Sequence, residues 1–168
     1  ELTHNLVARI HNQTTLDPIP HLTCVCHGES DITRILDRYN AAGISNILAL
    51  GGDPPRDLKD YDRKADAFQN ANDLVRFIRE FNASGKHHHD QGFGIGVAGF
   101  PEGHPATPNR VLEMDYLKAK VDAGADYICT QLFFDNHDFL DFRDRCDIAG
   151  ISVPILAGIM PITSTAGM

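Results

Sequence analysis

Apolar residues recur along the 168-residue chain in two alternating rhythms. Spacings of three and four put Leu6, Val7 and Ile10 on one helical face, and Ile32, Ile35, Leu36 and Tyr39 on another. Leu74, Val75 and Ile78 form a third such face. Between the helical stretches lie short, continuous apolar runs rich in β-branched and aromatic residues, which read as buried strands. The predicted strands cover residues 21–26, 45–50, 94–100, 127–134 and 153–160. Helices are predicted over 3–12, from a Ser30 cap to Gly43, and from Phe68 to Phe81. A fourth opens at a Thr107 cap with Pro108 at its first position and runs to Ala123. A fifth is capped by Asn136 and closed by Gly150, and glycine is the usual residue just past a helix end. Thr14 to Pro20 reads as a turn, the charged segment 56–67 as a mobile loop, and Asn82 to Asp90 as a polar loop.

Strand and helix alternate without any two-residue hairpin signal, which means parallel pairing. The expected fold is α/β, a (β/α)8 TIM-type barrel of which about five consecutive units are present. An open doubly wound sheet satisfies the same alternation. The chain begins inside a helix and ends on a strand. Residues 1–168 therefore read as part of a single barrel domain, with its first strands and its last strand missing.

Composition narrows the function classes. A net charge of −8 argues against a nucleic-acid partner, which wants a basic face. No run of about 18 apolar residues is present to cross a membrane, and no signal peptide opens the chain, so a cytoplasmic location is the default. Cys24, Cys26, Cys129 and Cys146 lie within the element-like runs and read as small buried hydrophobes. Cys24 and Cys26 share a strand face, but no second pair at zinc-ligand spacing accompanies them. His87-His88-His89 reads as a solvated loop, and no metal site is expected.

Polar residues gather where strands end, which is where ligands bind in parallel α/β folds. Gln131 lies near the end of its strand, and a buried amide left unpaired costs about 1–3 kcal/mol. It meets either a protein group or a ligand. Asp53 directly follows Gly51-Gly52, where backbone can approach a ligand closely. It is either a carboxylate facing the barrel mouth or an ordinary turn aspartate before proline. Phe100 to Pro105 holds Glu102 and His104 between two prolines, as a presenting loop or a plain surface loop. Gly94 to Gly99 matches G-x-G-x-x-G, but these glycines lie within a strand and not at a helix opening, so a dinucleotide fingerprint is rejected. Small residues there leave room for something flat across the strand. Lys118 and Lys120 fall late in their helix, and Lys120 is either a solvated helix-end cation or a phosphate contact.

Taken in order, several stretches carry a resemblance. They are Pro20 to Cys24, Ile47 to Pro54, Ala98 to Pro105, Lys120 to Asp126, Thr130 to Asp135 and Gly158 to Pro161. Their order and spacing over nearly the whole chain resemble the methylenetetrahydrofolate reductase family. The resemblance implies a flavin-binding barrel with FAD across the strand ends. NADH or NADPH reduces the flavin and leaves, and methylenetetrahydrofolate then takes the hydride, in a ping-pong cycle serving methionine biosynthesis. It implies that Asp53 acts near flavin and folate and that Gln131 contacts the pterin, both as catalytic and substrate-binding positions. His21, Gly52, Asp53, Ala71, Ala98, Phe100, His104, Glu113 and Lys120 match cofactor-binding positions. A homo-oligomer is the expected state.

The chain also departs from the family pattern. Gly51 stands in place of an arginine, Phe100 and Asn70 in place of tyrosines, Glu113 in place of an aspartate and Ala119 in place of a basic residue. The family's general-acid glutamate and a cofactor-contacting threonine would precede Glu1, and its eighth strand would follow Met168. The 168-residue piece alone is expected to be inactive and poorly soluble. The other readings are a barrel lyase or aldolase without flavin, and an inactive barrel fragment.

Overall fold

The computed structural model describes residues 2–55 and 61–161. Its elements follow in order as α1 (Leu2–Gln13), β1 (His21–Thr23), α2 (Glu29–Ala41), β2 (Asn46–Leu50), α3 (Ala71–Ala83), β3 (Gly94–Gly99), α4 (Arg110–Asp122), β4 (Tyr127–Thr130), α5 (Asn136–Ile148) and β5 (Ile155–Leu156), with a 3-10 turn at Arg63–Ala65 between β2 and α3. All neighbouring strands are parallel, in the order β1-β2-β3-β4-β5. A doubly wound sheet reverses its strand order at a switch point. Here the order never reverses, so the winding is that of a barrel.

The sheet has two unlike faces. Leu22, Ile47, Ala49, Ile95, Val97 and Ile128 share one buried cluster with Ile32 and Leu36 of α2, Leu74, Val75 and Ile78 of α3, Leu117 of α4 and Phe142 of α5. Each of the larger burials is worth about 1.5–3 kcal/mol, so the helix-facing layer is what holds the sheet. The other face carries His21, Leu48, Gly96 and Tyr127, whose register aligns them across four strands. Gly96 leaves space on this face, as expected, but Tyr127 fills it: a methyl at Gly96 would overlap the phenol ring. Gly94 is likewise covered by Asn46, and Gly99 packs against Phe142 and Ile128. We expect Gly96→Val to lower unfolding free energy by about 1–3 kcal/mol, the usual range for overpacking. Urea unfolding of the complete protein measures it, and an unchanged midpoint would show that Tyr127 swings aside freely.

Several boundaries shift from the sequence reading, for local reasons. The first strand stops at Thr23 because Cys26 adopts a left-handed φ of 60°. Cys26 is therefore exposed, against expectation, while Cys129 is half-buried and Cys24 and Cys146 are buried with thiols pushed up to about 11 by desolvation. The cap of α2 is Gly28 and not Ser30; Asp31 Oδ2 accepts the Gly28 N–H at 3.2 Å. Asn109, not Thr107, caps α4, accepting from Val111 and Leu112 N–H groups at 3.0 and 3.2 Å. Asp135, not Asn136, caps α5. Helix α3 starts at Ala71 and not Phe68.

Two loops also differ. Of the charged segment read as mobile, 56–60 lies outside the described residues, but 61–67 is built around the 3-10 turn. His87 of the polar loop is not solvated: it is buried with its ring 4.2 Å from Phe93. The last two strands are shorter than predicted. Beyond β5, Gly158 lies so close to Thr130 that no side chain fits, and its N–H donates to Thr130 Oγ1 at 2.9 Å.

Candidate functional site

At the C-terminal ends of β2, β3 and β4 the chain encloses a cavity of about 1000 Å³. Three kinds of element wall it: the turn after β2, the loop after β3, and helices α3 and α4. Glu113, Tyr116, Leu117 and Lys120 recur at helical spacing and so present one face of α4 to it. Asn70 and Ala71 bring the start of α3 to another wall, and Ala98 and Gly99 form a small-residue floor.

The turn after β2 is forced by its glycines. Gly52 has φ +76°, and a methyl there would meet Val25 Cγ2 at 2.7 Å and Thr23 Cβ at 2.9 Å. Asp53 follows, exposed on the cavity wall, with no side-chain hydrogen bond among the described residues. A turn aspartate would bond the N–H two residues on, but that residue is Pro55, which has none. Asp53 is therefore left to face the cavity. Arg63, which sequence reasoning missed, reaches back to this turn from the following segment. Its Nη1 and Nη2 donate to the Gly52 and Gly51 carbonyls, each at 2.9 Å. Nothing in the local pattern marks Arg63 among its charged neighbours.

The loop after β3 is pinned from beneath. Arg110 donates to the Pro101 and Glu102 carbonyls at 2.9 and 3.0 Å, and Arg145 to Pro101 at 3.4 Å. Phe100 and His104 line the cavity with ring centroids 4.5 Å apart, edge to face. His104 Nδ1 accepts the Ala106 N–H at 3.0 Å, so the neutral ring carries its proton on Nε2. Glu102 does not line the cavity. Its Oε1 accepts the Phe134 N–H at 2.8 Å and ties this loop to the segment after β4.

A part-buried amine and a buried carboxyl sit on the α4 wall. Lys120 Nζ donates to the Ala98 carbonyl at 3.1 Å, and burial holds its pKa below the usual lysine range, with Glu113 opposing the shift. The solvated helix-end reading of Lys120 does not hold. Glu113 is 9% exposed, and its Oε2 is buried with no partner among the described residues. An unpaired buried oxygen costs about 1–3 kcal/mol or more when charged, so the position invites a donor from a ligand. Together Arg63, Lys120, Asp53 and Glu113 make the cavity locally balanced within an acidic chain.

Of the predicted site residues, the structure brings Gly52, Asp53, Ala71, Ala98, Phe100, His104, Glu113, Lys120 and Gln131 to one cavity. His21 is not among them; it lies at the N-terminal end of β1, exposed on the open face of the sheet. Gln131 follows β4 and is exposed on the cavity wall, so it is not the buried strand amide of the sequence reading. Its N–H still extends the ladder, donating to Gly99 at 2.8 Å. Tyr116 was also missed, although its place three residues after Glu113 was a usable signal.

A one-way parallel winding with a cavity at its strand ends defines a TIM-type α/β domain. Solved structures agree on the fold: a 2,3-dimethylmalate lyase aligns at TM-score 0.59 and 15% identity, over 98% of this chain and 54% of that one. A phosphonopyruvate hydrolase aligns at TM-score 0.58 and 16% identity, over 92% and 58%. The chain belongs to the methylenetetrahydrofolate reductase family, whose model matches residues 1–168. Methylenetetrahydrofolate reductase 2 of Saccharomyces cerevisiae is 42% identical over 98% of this chain and 27% of its own length. The 5,10-methylenetetrahydrofolate reductase of Escherichia coli is 38% identical over 96% and 50%. The chain thus spans between a quarter and a half of the length of these relatives.

Proposed function

We propose that the protein carrying this chain reduces 5,10-methylenetetrahydrofolate to 5-methyltetrahydrofolate with NADH or NADPH, the two substrates using one FAD-containing site in turn. The observation that carries this reading is the α4 wall. A part-buried ammonium and a buried carboxyl oxygen with no partner among the described residues face a cavity of about 1000 Å³. That is the upper end of the usual range for small-ligand sites. The pair suits a ligand bearing both phosphate and hydroxyl groups, as FAD does, and the relatives' names supply the reaction.

FAD, when bound, supplies the hydride chemistry that side chains lack. Lys120 would hold its phosphates, Glu113 would accept from its ribose hydroxyls, and Phe100 and His104 would offer ring faces. Ala71 and Ala98 leave the floor open to a flat group. Asp53 places a negative charge where the one-carbon unit becomes cationic, which favours the iminium form of the folate. Gln131 offers a donor and an acceptor to the pterin edge.

Visible absorption of the purified complete protein tests the reading. A flavin spectrum that NADH or NADPH bleaches anaerobically, and that methylenetetrahydrofolate restores, is expected. A colourless protein that binds no added FAD would overturn it. Within this reading, Gln131→Leu weakens folate binding by about 1–3 kcal/mol, the penalty for a buried polar partner left unmet. Titration of folate into the variant measures this, and unchanged affinity would remove Gln131 from the folate site.

A further inference from the structure

We propose that Arg63 is a positioning residue for Asp53, acting through the turn Gly51-Gly52; this rests on the functional reading above. One guanidinium holds two consecutive carbonyls, Gly51 and Gly52, at 2.9 Å each, and its Nε donates to the Gln69 carbonyl at 3.2 Å. The arrangement needs the planar fork of arginine, since an ammonium is a single point of charge. Gly51 makes room for it: a methyl there would lie 3.2 Å from Nη2.

The segment bearing Arg63 is itself anchored. Gln69 Nε2 donates to the Arg63 and Asp66 carbonyls at 3.0 and 2.8 Å. Asp66 accepts the Cys26 N–H at 3.3 Å and the Tyr61 hydroxyl. The strap therefore grips the loop after β1 with one hand and the turn after β2 with the other. On its opposite side the turn is already packed on Thr23 and Val25 through Gly52. Held from both sides, the turn's backbone is braced, and Asp53 is the next residue along. The backbone from which its carboxylate extends is thus positioned by a residue ten further on in sequence, whose guanidinium hydrogen-bonds to carbonyls.

Rapid mixing of the complete protein, following each half-reaction separately, tests this with Arg63→Ala, Arg63→Lys, Asp53→Asn and the double variant Arg63→Ala/Asp53→Asn. Arg63→Ala should slow reoxidation by methylenetetrahydrofolate about 10–100-fold, the scale of a catalytic group misplaced by about 1 Å. Reduction by the nicotinamide should change far less, which also shows that the variant is folded. Arg63→Lys should share the defect, because it cannot bridge both carbonyls. In the Asp53→Asn background the Arg63→Ala loss should nearly vanish, since coupled residues are not additive. Additive losses, equal slowing of both half-reactions, or full rescue by lysine would each overturn the positioning role. If the unsubstituted protein performs neither half-reaction, the functional reading falls first and this inference with it.

Discussion

Asp53→Asn in the complete protein is expected to slow reduction of methylenetetrahydrofolate by about 10²–10³, the usual loss when a preorganised electrostatic group is removed. Its carboxylate is exposed on the cavity wall and makes no hydrogen bond among the described residues, so the substitution breaks no visible structural contact. Asparagine keeps the volume and the turn while removing the charge. The nicotinamide ring also becomes cationic as it gives up hydride, but its oxidation needs no folate iminium to form first and should change far less. Stopped-flow flavin absorbance separates the two steps. Equal slowing of both would mean that Asp53 serves the shape of the turn and not the chemistry.

The second large effect is expected at Lys120. Lys120→Met keeps the apolar stem but removes the ammonium that donates to the Ala98 carbonyl. Hydrogen bonds to charged groups are worth about 1.5–3 kcal/mol, so FAD affinity should fall by roughly 10–100-fold at about 1.4 kcal/mol per decade. Burial lowers the Lys120 pKa, and only the protonated form attracts phosphate. FAD affinity should therefore decline as pH rises through that lowered value, at a lower pH than for a solvent-exposed lysine. In Lys120→Met this part of the pH dependence should disappear. Fluorescence titration of FAD into apoprotein across pH measures both, and a variant that binds with unchanged affinity and profile would remove Lys120 from the cofactor site.

Much of this site was legible before any coordinates, because its determinants are local. Glycine pairs after a strand announce a sharp turn, and Asp53 is carried on that turn whatever lies opposite. Glu113 and Lys120 fall seven apart, which alone places them on one helix face. The α/β alternation likewise follows from short-range spacing, with side chains repeating at 3.6 or 2 residues.

Other features depend on which distant elements come to lie side by side. The space above Gly96 was foreseen, but not that Tyr127 of the neighbouring strand would fill it. Glu102 stands beside cavity residues in sequence, yet it turns to the Phe134 N–H in another loop. His21 shares a motif with the site-forming stretches but sits at the N-terminal end of its strand, outside this cavity's lining.

By itself, then, the amino-acid order determined the parallel five-strand pattern, the family, and part of the cavity's wall, since periodicity, glycine placement and motif spacing are properties of the chain alone. Only the tertiary structure decided between barrel winding and a doubly wound sheet, because strand order is a matter of long-range pairing. It alone buried Glu113 and drew Lys120 partly out of solvent, since burial depends on neighbours brought from elsewhere. And it alone brought Arg63 onto the carbonyls of Gly51 and Gly52, because a hydrogen bond between a side chain and a distant backbone leaves no trace in the spacing of either.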